Sequence, residues 1–143
     1  MRSVRLPQNL DVLDKYMFSA CFKLKEVEVP RMVRELRRDA FGDCRSLENV
    51  ILPEGLQVID RGVFWNCFSL KAITIPSTVT RFGDFVFWNC RSLKDVYMLN
   101  PEPPHITDIF HNLTLRIHVP AASVEKYRSQ QYWRDQEIVA ITP

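Results

Sequence analysis

Apolar residues along this chain recur in columns 23 positions apart. Phe18, Phe41, Phe64, Phe87 and Phe110 make one column, Cys21, Cys44, Cys67 and Cys90 a second, and Leu24, Leu47, Leu70 and Leu93 a third. Branched aliphatics follow at Val27, Val50, Ile73 and Val96, and two residues further on stand Val29, Leu52, Ile75 and Met98. Pro7, Pro30, Pro53 and Pro76 come next, with Leu99 breaking the series. The second half of each unit adds Leu10, Val33, Leu56 and Val79, then Leu13, Leu36, Ile59 and Phe82. Self-similarity at one fixed period is the mark of a repeat architecture.

Each unit predicts the same elements. Ile73 and Ile75 point to one side of an extended segment and Ala72 and Thr74 to the other, which is the spacing of a short strand with one buried face. The proline that follows has no N–H for a ladder and ends the strand in a turn. In STVTRFGDFVFWNC the apolar positions Val79, Phe82, Val86 and Phe87 suit a short extended piece followed by about one helical turn. A single unit cannot cover its own apolar face. Stacked units share a continuous core, each adding about eight inward side chains worth roughly 1.5–3 kcal/mol apiece before entropy. The expected fold is therefore α/β, with one short parallel strand and a short extended or helical return per repeat.

The motif LxxVxIP preceded by FxxC resembles the leucine-rich repeat. The longer pattern FxNCxSLxxIxIPxxVxxIxxxxF is similar to the BspA-like bacterial subclass, with Phe64 to Cys67 and Ser69 to Pro76 as the best-matching stretch. The likeness covers residues 4–120 and implies a right-handed solenoid of about five repeats. It also implies a bacterial surface or secreted protein involved in adhesion or host interaction. Toward the carboxyl end, Phe110-His111-Asn112-Leu113 keeps the phenylalanine register but replaces the cysteine, and the unit is shortened. AASVEKYRSQQYWRDQEIVAI then places Val124, Tyr127 and Trp133 on an amphipathic helix and turn, ahead of an apolar run from Ile138 to Ile141. This segment, 121–143, resembles the closing cap of BspA-like proteins, and the whole chain, 1–143, reads as a single domain. At the other end the repeat begins at Val4 without a cap. Val4, Leu6, Leu10 and Leu13 form an unprotected layer blunted only by Arg2, Arg5 and Pro7, so self-association there, or further repeats upstream, is expected.

Composition narrows the function. At 143 residues and 46% apolar content, one compact domain burying roughly two-thirds of its unfolded surface is expected. Lys and Arg exceed Asp and Glu by 19 to 17, which demands no polyanionic partner. The apolar runs are far shorter than the ~20 residues of a membrane span, and MRSVRLPQNL has no secretory-signal pattern. Cysteines on successive rungs lie along a line and cannot converge on a tetrahedral metal. They read as buried free thiols, with no metal or cofactor called for. The three histidines, His105, His111 and His118, all fall in the terminal third and the glycines form no phosphate loop, so the chain reads as non-enzymatic. A basic run of Arg31, Arg34, Arg37 and Arg38, joined by Arg2 and Arg5, is interrupted by Glu35 and Asp39 and has no aromatic platform. It reads as a solvated edge and not as a nucleic-acid surface.

Two surfaces remain as candidates. Trp65 and Trp88 occupy a column whose other members are Ser19, Gly42 and His111, residue types no core requires. With Phe68 nearby they predict an exposed aromatic strip suited to a protein contact or to stacking on sugar rings. The outward strand positions form the second surface: Arg5, Glu28, Ile51, Thr74, Tyr97 and His118 in one column, with Ser3, Glu26, Asn49, Ala72, Asp95 and Arg116 beside it. The leading reading is a recognition module for a protein ligand. A carbohydrate-binding module and a structural spacer from a longer array are the other two.

Overall fold

The computed structural model describes residues 3–142; Met1, Arg2 and Pro143 lie outside the described residues, and with them the part assigned above to Arg2. The leucine half of each unit supplies one strand of a parallel ladder. These strands are β1 (Ser3–Val4), β3 (Glu26–Glu28), β5 (Asn49–Ile51), β7 (Ala72–Ile75), β9 (Asp95–Met98) and β10 (Arg116–Pro120). The ladder is paired in two runs, β1-β3-β5 and β7-β9-β10, with β5 and β7 adjacent but unpaired among the described residues, and the registers Ser3↔Glu26↔Asn49 and Thr74↔Tyr97↔His118 place equivalent repeat positions side by side. Alternation holds in every rung: Ile73 and Ile75 are buried and Ala72 and Thr74 are exposed.

The return path does more than connect. Its extended piece forms a second parallel sheet of two-residue strands, β2 (Val12–Leu13), β4 (Glu35–Leu36), β6 (Val58–Ile59) and β8 (Arg81–Phe82). The curled piece is a run of tight turns. Two left-handed residues four apart in four successive units, such as Asp39 (φ 54°) and Asp43 (φ 60°), prevent helical propagation. Asp43, Asn66, Asn89 and Asn112 hold the second of these positions, which suits residues that tolerate positive φ. Their side chains also chain together, Asn89 Nδ2 donating to Asn66 Oδ1 at 2.7 Å and Asn66 Nδ2 to Asp43 Oδ1 at 3.3 Å.

Between the two sheets the columns stack on themselves. The rings of Phe18, Phe41, Phe64, Phe87 and Phe110 lie 5.5–5.8 Å apart, within 10° of parallel. Beside them each of the three buried cysteine thiols donates to a carbonyl one turn earlier: Cys44 to Phe18 O at 3.0 Å, Cys67 to Phe41 O at 3.4 Å and Cys90 to Phe64 O at 2.9 Å. All four cysteines are free. The sulfur thus fills apolar volume and also occupies a carbonyl acceptor in the core.

The two ends differ. At the carboxyl end, Pro120 leads through a 3₁₀ turn into α1 (Val124–Arg128), and β11 (Glu137–Ile141) pairs with β10 as the last rung. Trp133 meets Phe110 edge-on at 63° and donates its indole N–H to Pro104 O at 2.8 Å. Tyr127 packs edge-on against Trp133 and donates to Asn100 O at 2.6 Å. The Gln136 side chain accepts from Leu115 N and donates to Leu113 O, taking the place of a following turn's backbone. At the amino end Met17 is exposed, although Ala40, Val63, Val86 and Ile109 in the same column are fully buried.

Burial pushes the Cys44 and Cys90 thiols up to about 12 and Cys67 well above its ordinary value. The folded state therefore holds these protons more tightly than the unfolded chain does. The stability they confer is complete below the unfolded thiol pKa of about 8.5. It is lost as pH rises toward 12, at up to about 1.4 kcal/mol per pH unit for each thiol. Denaturant titrations across this range should show the fall. Cys67→Ala should cost about 1–2 kcal/mol at neutral pH and make the alkaline fall shallower.

Candidate functional site

On the strand side the backbone is spent on the ladder, so recognition there rests on side chains. The outward residues of β1 to β9 line an open groove of about 770 Å³ that includes Arg5, Glu28, Ile51, Thr74 and Tyr97. Its amino-terminal half carries Glu26 and Glu28, neither of which is in an ion pair among the described residues. Its middle offers Ile51, 59% exposed, in a lining shared with Asn49, Ala72 and Thr74. The carboxyl end is preorganised. His118 stacks on Tyr97 with ring centres 4.2 Å apart and places Nε2 2.8 Å from Asp95 Oδ1, which Arg116 also approaches at 3.8 Å. The columns expected at Glu26, Glu28, Asn49, Ile51, Thr74, Asp95 and Tyr97 thus share one face.

The tryptophans lie beside the turns. Trp65 and Trp88 are 37% and 43% exposed, yet they do not stack on each other. Trp65 rests on Gly42 in the turn before it; a Cβ at that position would stand 2.3 Å from the indole nitrogen. Trp88 packs on Phe85 at 4.5 Å and meets the edge of His111 at 5.8 Å. Together they border a notch of about 170 Å³ shared with Arg38, Asp39, Arg61, Gly62 and Phe85. Gly62 (φ 65°) is left-handed like Asp39 before it and Phe85 after it, and any side chain there would collide with Asp39. Burial raises the Asp39 pKa, opposed by the nearby Arg38 and Arg61 guanidinium groups.

Phe68 is not part of this group. It stands in a separate column where phenylalanine and arginine alternate. Arg45 lies over Phe22 at 4.8 Å and over Phe68 at 5.8 Å, and Arg91 lies over Phe68 at 4.1 Å. The left-handed Asn66 between Trp65 and Phe68 turns the two side chains to different places. The basic run is dispersed as well: Arg37 pairs with Glu35 at 2.8 Å and Asp14 at 3.5 Å, and Arg5 belongs to the groove. Sequence reasoning missed Arg61, Gly62 and Phe85. The signal for Gly62 and Phe85 was in the column that runs Tyr16, Asp39, Gly62, Phe85, where one side chain is deleted between two larger ones.

In-register short parallel strands with leucine, phenylalanine and cysteine columns define a leucine-rich-repeat solenoid. The chain belongs to the BspA-type leucine-rich-repeat family, whose repeat region matches in six copies over residues 1–116. The fold is shared with the pneumococcal vaccine antigen PcpA at 21% identity and a TM-score of 0.77, all of this chain covering 42% of that one. A leucine-rich cell surface protein of Faecalibacterium prausnitzii is similar at 21% identity and a TM-score of 0.69, the chain spanning 33% of its length. A leucine-rich-repeat protein from Bacteroides capillosus is 30% identical over 68% of this chain and 77% of its own, with a TM-score of 0.62. No curated protein matches the sequence. Among the described residues no helix is long and apolar enough to cross a membrane.

Gly42 exists to receive Trp65, so Gly42→Ala should destabilise the fold by about 1–3 kcal/mol through overpacking. In an NMR spectrum the Trp65 indole N–H signal should move while that of the buried Trp133 stays in place.

Proposed function

We propose that the chain is a non-enzymatic protein-recognition module of a bacterial surface or secreted protein, acting in adhesion or host interaction through its concave strand face. The groove is the observation that carries this reading. It is a long row of outward side chains on a rigid ladder, acidic at one end, apolar at Ile51 and aromatic at Tyr97. A ligand meeting it pays little to order the receptor, and Ile51 and Tyr97 supply the apolar and aromatic anchors that dominate such interfaces. The surface or antigen descriptions of two proteins that share the fold support the placement outside the cell.

An array of extracellular host proteins, probed with the labelled chain, tests the reading. Ile51→Ala and Tyr97→Ala should each weaken a genuine interaction by about 1–2 kcal/mol, and Glu28→Lys should abolish binding to basic ligands. Arg81→Ala on the second sheet should leave it intact. Interactions indifferent to every groove variant would refute a concave binding face.

A second contact is proposed between copies of the chain at the amino-terminal turn. Met17, Cys21 and Val4 stand in columns that are buried elsewhere but only partly covered here, and Tyr16 and Phe22 are each half exposed beside them. Such a patch on a strand edge favours pairing. Sedimentation should show association that grows with concentration and disappears in Val4→Lys; a monomer at high micromolar concentration would sink the idea.

A further inference from the structure

We propose that the notch between Trp65 and Trp88 binds an acidic pyranose, a sugar ring carrying one carboxylate, as a single unit of a glycan. Its walls, its charge and its size each bear on this. Both indoles expose ring surface, and neither has a protein acceptor for its N–H among the described residues, whereas the structural Trp133 donates to Pro104 O. Flat π surface of this kind takes the C–H face of a sugar, and the free N–H groups are donors for its hydroxyls. Of the two arginines that line the notch, Arg38 has the Asp39 carboxylate within 4 Å, whereas Arg61, like several arginines elsewhere on the surface, has none among the described residues. Its guanidinium instead lies 5.2 Å from the Phe85 ring centre, at the notch, with its fork of donors available to a carboxylate.

Asp39 separates this ligand from simpler ones. Its carboxylate lines the same notch and is a pure acceptor when ionised. A bare anion would be repelled by it, and an aliphatic side chain would cover it without a donor in exchange. The carboxylate of a peptide Asp or Glu would meet Arg61 and leave the indoles uncovered. A pyranose acid brings hydroxyl donors for Asp39, an anion for Arg61 and an apolar face for the tryptophans. The volume of about 170 Å³ is below the ~300–1,000 Å³ of drug-sized pockets, so one ring enters and the rest of the glycan runs past in solvent. Gly62 provides the space, because the side chains at the same position one turn before and after would fill it.

The proposal is independent of the concave face, and its failure leaves that reading intact. It is tested by NMR titration of the indole N–H signals with methyl glucuronide, methyl glucoside, acetate and a Glu-rich tetrapeptide at constant ionic strength. Methyl glucuronide should move the Trp65 and Trp88 signals and not that of Trp133. Arg61→Gln should weaken binding about tenfold or more, as loss of a charged hydrogen bond does, and bring the glucuronide to the level of the glucoside. Trp88→Ala should remove binding, whereas Arg91→Gln, in the neighbouring phenylalanine–arginine column, should not change it. The proposal is overturned by indole signals unmoved by the glucuronide, by glucoside binding as tightly, by acetate or the peptide producing the same shifts, or by glucuronide affinity unchanged in Arg61→Gln.

Discussion

A turn of this coil can satisfy neither its own backbone nor its own apolar side chains, and everything else follows from the need for the next turn to do both. The amides of Phe18, Phe41 and Phe64 donate to the carbonyls of Ala40, Val63 and Val86 one turn on. Those of Ala20, Asp43 and Asn66 do the same to Gly42, Trp65 and Trp88. The ladder therefore runs through the turns as well as the strands. Because the same bonds recur at every turn, equivalent residues are stacked, and each column must hold a residue that can sit beside a copy of itself. Phenylalanine does so by parallel rings, asparagine by amide chains, cysteine by thiol-to-carbonyl bonds, and leucine by simple contact.

The same constraint explains how much was legible. Strand positions, buried columns, free cysteines and the outward groove residues depend only on the period, which is written in the sequence. The second sheet was visible only as an extended piece, because two residues per rung are too few to show alternation. The placement of the tryptophans depended on something else, the partner each indole chose. Trp65 lies on the previous turn because Gly42 leaves room there, and Trp88 stays over Phe85 in its own turn. Grouping Phe68 with them assumed the three-residue neighbourhood of a helix; the left-handed Asn66 removes that neighbourhood. The lesson lies in the exceptions to each column, since a repeat fixes what its columns share and leaves their departures free to differ.

Those departures concentrate on two faces with different characters. The groove varies through residues that point away from the core at no structural cost. The notch varies through residues that do carry a cost. Phe85 holds a bulky side chain at φ 62°, where glycine or asparagine would be less strained, and Gly62 gives up contacts that a side chain would make. The phenylalanine is held there by Trp88 on one side and Arg61 on another, so strain, aromatic contact and cation share one small place.

Trp133 turned on its edge against Phe110 also gives the molecule a direction in time. A nascent chain emerges with its amino-terminal turns first, and the element that closes the column, completed by Tyr127 and Gln136, is made only after the turns it covers. Until Tyr127, Trp133 and Gln136 leave the ribosome, the newest turn shows a bare aromatic face. A chain released before Trp133 is made leaves the Phe110 end of the column bare, a form that quality-control machinery can recognise by its exposed rings.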